Sequence, residues 1–346
     1  MSAYTALALQ TRCLAVNRCV SDAEARERMR ANIERVGRQV LGSKAFIGPD
    51  LKLVVLPEYF LSGYPLGDAL PAWASKAALA PDGVEYELLG QVARQAGVYL
   101  SGNAYETDAH FPGLYFQTSF VLDDQGACVL RYRRLVSLFA PTPHDVWDRY
   151  LELYGLEGVF PVADTPLGRL GCVASEEILY PEIARGLALR GAEVLLHSSS
   201  EVASPRLTPK DVAKRARAYE NSCWVVSANS AGIVDVDIPG ESVDGMSKIV
   251  DPLGEVRAEA GYGESMVAHA VIDIAALRRQ RLKPGMGNLL ARQRLELFAA
   301  QYADSVVSPN SMLKDGELQV PGRAHFLEQQ RASIEKLLTR GVLRRD

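Results

Sequence analysis

Few features that announce metal, nucleotide, membrane or nucleic-acid chemistry occur in this chain. Its five cysteines, Cys13, Cys19, Cys128, Cys172 and Cys223, are scattered and form no CxxC pair. An odd, dispersed set argues against a disulfide framework and for reduced, mostly buried thiols. The five histidines, His110, His144, His197, His269 and His325, show neither HExxH nor HxH spacing, so no metal site is expected. Neither a Walker loop nor a GxGxxG follows an apolar strand pattern, and the expected cofactor list is empty. No apolar run reaches the ~20 residues that a bilayer span requires, and the opening MSAYTALALQ lacks the basic leading region of a secretory signal. A cytoplasmic location without membrane contact is the expectation. With a net charge of −4 and no dominant basic tract, nothing favours nucleic acid as a partner. The short run Arg278, Arg279, Arg281 suits a solvated helix face.

What is present is an ordinary globular composition, 48% hydrophobic and 23% charged. Strand and helix patterns alternate along most of the length. Tyr4 to Leu9 predicts a strand, and Ser21 with Glu24 three residues on predicts the capped start of a helix carrying Met29, Ile33 and Val36. Leu51 to Leu56 is almost continuously apolar, the signature of a strand covered on both faces, and it delivers Glu58 to its carboxyl end. A helix near 84–96, a strand near 97–103 and a hairpin over 115–122 and 127–132 follow. The aromatic-rich stretch 135–168 has no clear period and is expected to be a functional loop or lid. Thr208 and Pro209 open a further helix through RARAYEN, CWVVSAN is a strand, GMSKIVDPLGEV a hairpin and MVAHAVIDI a strand. No Gly-, Pro- or Ser-rich linker divides the chain. One domain over 1–285 is expected, with a helical extension over 286–346 (helices near 288–302 and 322–338) that packs on the body or on a partner subunit.

The segment GRLGCVASEEILYPEIARGLALRGAEVLL carries the most chemistry. Leu170 to Ala174 predicts a buried strand and Ser175 to Tyr180 an exposed turn. Pro181 and Glu182 open a helix that Gly191 ends, and Ala192 to Leu196 returns as a strand. A side chain at the end of a buried strand, just before a helix, projects into the crevice where ligands bind in α/β sheets. Ser175 has that address. Cys172 stands three residues earlier, and an odd offset along a strand turns it to the opposite face, into the core.

Three polar residues close apolar strands: Glu58 in LPEYF, Arg134 in RYRRL and Ser175 in VASEEILYPE. Together with RARAYENSCWVVSAN, GMSKIVDPLGEV and LALRGAEVLL, these motifs resemble the nitrilase, or carbon–nitrogen hydrolase, superfamily in collinear order from about residue 4 to residue 282. The resemblance implies an α/β fold of the four-layer αββα sandwich type, a homodimer or higher homo-oligomer, and an amidase-like Glu, Lys, Cys triad acting on nitriles or non-peptide amides. Glu58 matches the family's general base. Arg134 stands where the family has lysine, and Ser175 where it has cysteine. A supporting carboxylate is usual between the last two positions, for which Glu152 and Glu157 are the candidates. Tyr59, Phe60, Trp147, Glu176 and Tyr180 flank the triad positions and are candidate substrate contacts.

The two departures change the chemistry. Serine must lose its proton as it attacks, which requires a well-placed base, and Glu58 is that base by position. A guanidinium stays protonated throughout, so Arg134 can stabilise an oxyanion, clamp a carboxylate or pair with Glu58, but cannot shuttle a proton. Three readings follow: hydrolysis of a small linear amide or nitrile through an acyl-enzyme on Ser175; a catalytically silent protein that binds a small amide or carboxylate or a partner subunit; and acyl transfer to an amine.

Overall fold

The computed structural model describes residues 3–202, 204 and 206–345. Two six-stranded sheets form its centre. In spatial order the first holds His269–Asp273, Ala3–Ala8, Leu51–Val55, Tyr99–Thr107, Tyr115–Leu122 and Cys128–Arg133. The second holds Val256–Glu259, Lys248–Val250, Trp224–Ala228, Val194–Ser198, Gly168–Ala174 and Ala163–Thr165. Each sheet has three parallel strands in its middle and antiparallel strands outside them. That pattern follows from the sequence: strands followed by helices return parallel, and hairpin-linked strands return antiparallel.

Residue alternation stacks the sheets. Along Leu51–Val55, Leu53 and Val55 enter the core shared with the second sheet, where Leu170, Cys172, Leu195 and Val226 lie. Val54 and Leu56 face the opposite core, which contains Met29, Ile33, Val36 and Leu89 from the helices Asp22–Ile47 and Val84–Ala96. Both faces of this strand are therefore covered, as its unbroken apolar run requires. The helices Pro181–Leu189 and Pro209–Asn221 pack against the second sheet through Ile183, Leu187 and Ala218. The layers thus read helix, sheet, sheet, helix, an αββα sandwich. Among the described residues no helix is long and apolar enough to cross a membrane.

Several boundaries follow from local chemistry. Ser21 caps the first helix by accepting from the Glu24 amide at 3.2 Å, and Thr208 caps the helix at 209 by accepting from the Asp211 amide at 3.2 Å. Leu70–Ala77 is a helix that the sequence pattern does not announce; it buries Trp73. Three expectations need correction. Over 288–302 only a short turn, Leu295–Leu297, and the helix Ala299–Tyr302 form. None of this stretch is buried, so no buried apolar face repays a longer helix. The stretch 135–168 is not irregular throughout, because Trp147–Tyr154 is helical behind a capped turn at Thr142 and Asp145. Ser175–Leu179 is not an exposed turn but a 3-10 turn in which Ser175, Glu177 and Ile178 are buried. Arg217 holds it down, its guanidinium donating to the carbonyls of Ile178 at 3.0 Å and Leu179 at 3.1 Å.

Residues 310–312 fasten the C-terminal extension to the body. The Asn310 amide donates to the His144 carbonyl at 3.0 Å and the Met312 amide to the Asp145 carbonyl at 2.9 Å. Met312 is fully buried, and Ala324–Thr339 forms the last helix.

Glycine is required where the helix Val84–Ala96 crosses the turn at 123–126. A methyl on Gly90 would sit 2.6 Å from the Gly126 carbonyl oxygen, whereas one on Gly42, exposed in the first helix, would meet nothing within 4 Å. Gly90→Ala is therefore expected to lose about 1–3 kcal/mol. Gly42→Ala is expected to gain about 0.5–1 kcal/mol. Urea titration of both variants checks the pair, and equal effects would contradict this account of the packing.

Candidate active site

The sandwich brings the ends of four strands to one place. Leu51–Val55 runs out to Glu58, Cys128–Arg133 to Arg134, Gly168–Ala174 to Ser175 and Val194–Ser198 to Ser199 and Ser200. The sheets are tied to each other here: the Ser198 hydroxyl donates to the Leu56 carbonyl at 2.8 Å, and the Glu58 amide donates to the Ser199 carbonyl at 3.2 Å.

Glu58 is almost fully buried. Its carboxylate accepts from Gln117 Nε2 at 2.5 Å and from the Ser200 amide at 3.1 Å. Arg134, also buried, brings Nη1 to 3.5 Å from Glu58 Oε1. The same Nη1 donates to Gln117 Oε1 at 2.6 Å, Nε donates to the Val136 carbonyl at 2.7 Å, and Nη2 pairs with Glu176. A guanidinium has five N–H groups, so one proton on Nη2 has no acceptor assigned among the described residues. Burial works against the Arg134 charge, but Tyr59, Glu58 and Glu176 around it outweigh that and hold its pKa above the ordinary arginine value.

Gln117 organises the cluster. Its Nε2 donates to Glu58 and, at 3.0 Å, to Asn103 Oδ1, while its Oε1 accepts from Arg134 and, at 3.1 Å, from the Tyr59 hydroxyl. All four hydrogen-bonding positions of the amide are used. Gln117 is a residue that the sequence reading missed, since a glutamine beside Thr118 and Ser119 in YFQTSFVL does not by itself mark a site.

Ser175 is buried and adopts a left-handed backbone with φ +52°. A non-glycine residue in that region costs of order 1–3 kcal/mol and needs support from its surroundings. Two groups supply it. His197 Nε2 lies 2.8 Å from the Ser175 carbonyl oxygen, and its Nδ1 lies 2.8 Å from Ser227 Oγ. A carbonyl only accepts, so Nε2 carries the proton and Nδ1 accepts from Ser227. Burial, with the Lys214 ammonium nearby, pushes the His197 pKa well below its ordinary value and keeps the ring neutral. Glu177 supports the elbow from the other side. Its carboxylate accepts from the Ala174 amide at 3.2 Å, from the Tyr132 hydroxyl at 2.7 Å, and from the Leu135 and Val136 amides at 2.6 and 3.0 Å. It thereby joins the serine turn to the chain on either side of Arg134. Burial pushes its pKa up to about 6, against the lowering effects of Arg134 and these donors.

The remaining candidates divide. Glu176 and Tyr180 border a cavity of about 670 Å³ that Trp147 also lines. Tyr59 belongs to the Gln117 network and stacks on Tyr105. Phe60 is fully buried against the Gly102 backbone position, as a core side chain. Neither loop glutamate is among the partners of Glu58 or Arg134: Glu152 is exposed, and Glu157 pairs at the surface with Arg190. Cys172 is fully buried in the core between the sheets, and burial pushes its pKa up to about 12, which leaves it an inert thiol.

Glu177 has a folded pKa above its unfolded value, so the fold favours its protonated form. Its contribution is complete below about 4.5 and is lost as pH rises through about 6. The stability difference between wild type and Glu177→Ala is expected to be largest below that window and to shrink across it, as read from urea midpoints at successive pH values. His197 is expected to remain a neutral Nε2–H imidazole from about pH 5.5 to 8, in contrast to an exposed histidine. Nitrogen-15 NMR reads this directly, and titration near the ordinary histidine value would contradict it.

Known proteins resemble the chain at both levels. The carbon–nitrogen hydrolase family profile matches residues 15–282. A Pseudomonas protegens protein named hydrolase in pqqF 5'region is 31% identical over 75% of this chain and 84% of its own. Human omega-amidase NIT2 is 27% identical over 72% of this chain and 86% of its own. Among solved structures, Saccharomyces cerevisiae Nit3, a member of branch 10 of the nitrilase superfamily, superposes with a TM-score of 0.63 at 21% identity, covering 81% of this chain and 93% of that one. An amidase from Nesterenkonia superposes with a TM-score of 0.61 at 18% identity, covering 87% and 97%.

Proposed function

This chain belongs to the carbon–nitrogen hydrolase family, and on that premise we propose that it hydrolyses the carbon–nitrogen bond of a small linear amide through an ester on Ser175. The family and its amidase members support amide hydrolysis in general; the serine route is the proposal. The observation that carries it is the strained, doubly supported Ser175 elbow, held at the strand ends where Glu58 and Arg134 also converge. Backbone strain kept in place by a neutral histidine and a buried carboxylate is the arrangement expected of a presented nucleophile.

In the first step Ser175 Oγ attacks the amide carbon and its proton passes to Glu58. The tetrahedral oxyanion is stabilised by the remaining N–H of Arg134 and by the backbone amide after Ser175. Collapse breaks the C–N bond, Glu58 returns the proton to the leaving nitrogen, and ammonia departs. Water, deprotonated by Glu58, then attacks the ester; the carboxylic acid leaves and Ser175 regains its proton. Arg134 holds charge throughout and moves no proton, so Glu58 alone carries the proton in both half-reactions. A nitrile would need an added water before the same ester forms.

One observation favours a second reading, a silent binding protein. Arg134 is gripped by Glu58, Gln117, Glu176 and the Val136 carbonyl, a clamp that would also suit a purely structural ion pair. Ammonia release from an amide panel, with intact-mass detection of an acyl adduct on Ser175, separates the readings. Turnover with an adduct that Ser175→Ala abolishes supports hydrolysis. If wild type is inert while the Ser175→Cys, Arg134→Lys double variant releases ammonia, the pocket is intact and the serine route is wrong.

A further inference from the structure

The cavity of about 670 Å³ beside the site has two walls. One is the chain that leaves the strand ends: Leu135 and Val136 directly follow Arg134, and Glu176 directly follows Ser175. The other is the C-terminal extension, which contributes residues 305–307, 325, 326, 329, 330 and 333, outside the 15–282 stretch that the family profile matches. The extension is fastened in place. Besides the Asn310 and Met312 amide bonds, Ser311 Oγ donates to Asp145 Oδ1 at 2.6 Å, His325 Nε2 lies 3.2 Å from that hydroxyl, and the Asp148 amide donates to Asn310 Oδ1 at 2.9 Å.

The chemistry of the walls is selective. Leu135, Trp147, Val159, Phe160, Val306 and Val307 supply apolar surface, and the charged lining groups are Glu176 and Asp145. No lysine or arginine lines the cavity among the described residues. His144 is held neutral by burial, which lowers its pKa. Arg134 lies just behind Glu176 and is already paired to it. A carboxylate entering this space would be desolvated and would face two anions with no cation to meet it. The volume falls in the range of sites that enclose ligands well above the size of acetamide.

We infer that this cavity holds the acyl tail of the substrate, and that the substrate is an amide with an apolar chain of several carbons bearing no anionic group. This rests on the amidase reading above and adds the substrate class and the part of the chain that selects it. The extension is a specificity element, and residue 306 is where selectivity can be reversed.

Three probes test it: acetamide, hexanamide, and adipamic acid, which has the hexanamide chain with a terminal carboxylate. Wild type should hydrolyse hexanamide with kcat/KM at least about tenfold above either of the others. Val306 lies in an irregular segment, so Val306→Lys places a cation in the wall at little risk to the fold, which circular dichroism checks. That variant should lose at least about fivefold on hexanamide and gain on adipamic acid. Equal or better wild-type use of adipamic acid, or an unchanged ratio in Val306→Lys, overturns the inference. Should no amide turn over, the hydrolase reading fails by itself and calorimetry decides the cavity: hexanamide binding that Val306→Lys weakens sustains the inference, while no binding, or binding the variant leaves unchanged, rejects it.

Discussion

The arrangement depends on burying one guanidinium among carboxylates. Arg134 sits almost out of solvent between Glu58 and Glu176, with Glu177 close by. Taking these charges out of water is expensive, and deleting one partner of such a pair commonly costs about 3–5 kcal/mol because the other is left unpaired. The cluster therefore holds together only as a set, and every element that contributes to it is constrained by it. Gln117 makes the set possible by meeting Glu58 with a donor and Arg134 with an acceptor from a single amide.

This constraint explains why Arg134 differs from a lysine in more than pKa. Its planar fork reaches Gln117, Glu176, the Val136 carbonyl and Glu58 at once, which a single ammonium cannot match in geometry. The position gains rigidity and gives up proton transfer. The Ser175 elbow is fixed in a similar way from outside the triad, by His197 behind its carbonyl and by Glu177 between it and the Arg134 chain. The two supports differ in character: the histidine is uncharged through burial, whereas Glu177, its pKa drawn up to about 6, is a carboxylate satisfied by four donors.

The main strands and helices were legible because apolar runs such as Leu51 to Leu56 must be covered on both faces, and because Ser21 and Thr208 mark helix starts chemically. Glu58, Arg134 and Ser175 stood out as polar residues closing those runs. Gln117, His197 and Glu177 did not. Gln117 lies inside a strand, where one polar side chain carries no address; His197 signals a metal or a base only when its partners are known; and Glu177 looks like any carboxylate beside Glu176. Their roles come from the Tyr115–Leu122 and Val194–Ser198 strands and the serine turn meeting across two sheets. Glu152 and Glu157 show the reverse case, since proximity in sequence to Arg134 and Ser175 leaves one exposed and the other paired with Arg190 at the surface.

By itself the sequence determined the αββα layering, the family, and the identity of the residues at three strand ends, because alternation, capping and collinear motifs are local properties. Tertiary structure decided which groups hold those residues in place and that the C-terminal extension walls a cavity beside Glu176. The physical reason is the range of the interactions. Hydrogen bonds and ion pairs join residues that are tens to hundreds of positions apart, and their partners exist only once the two sheets have stacked.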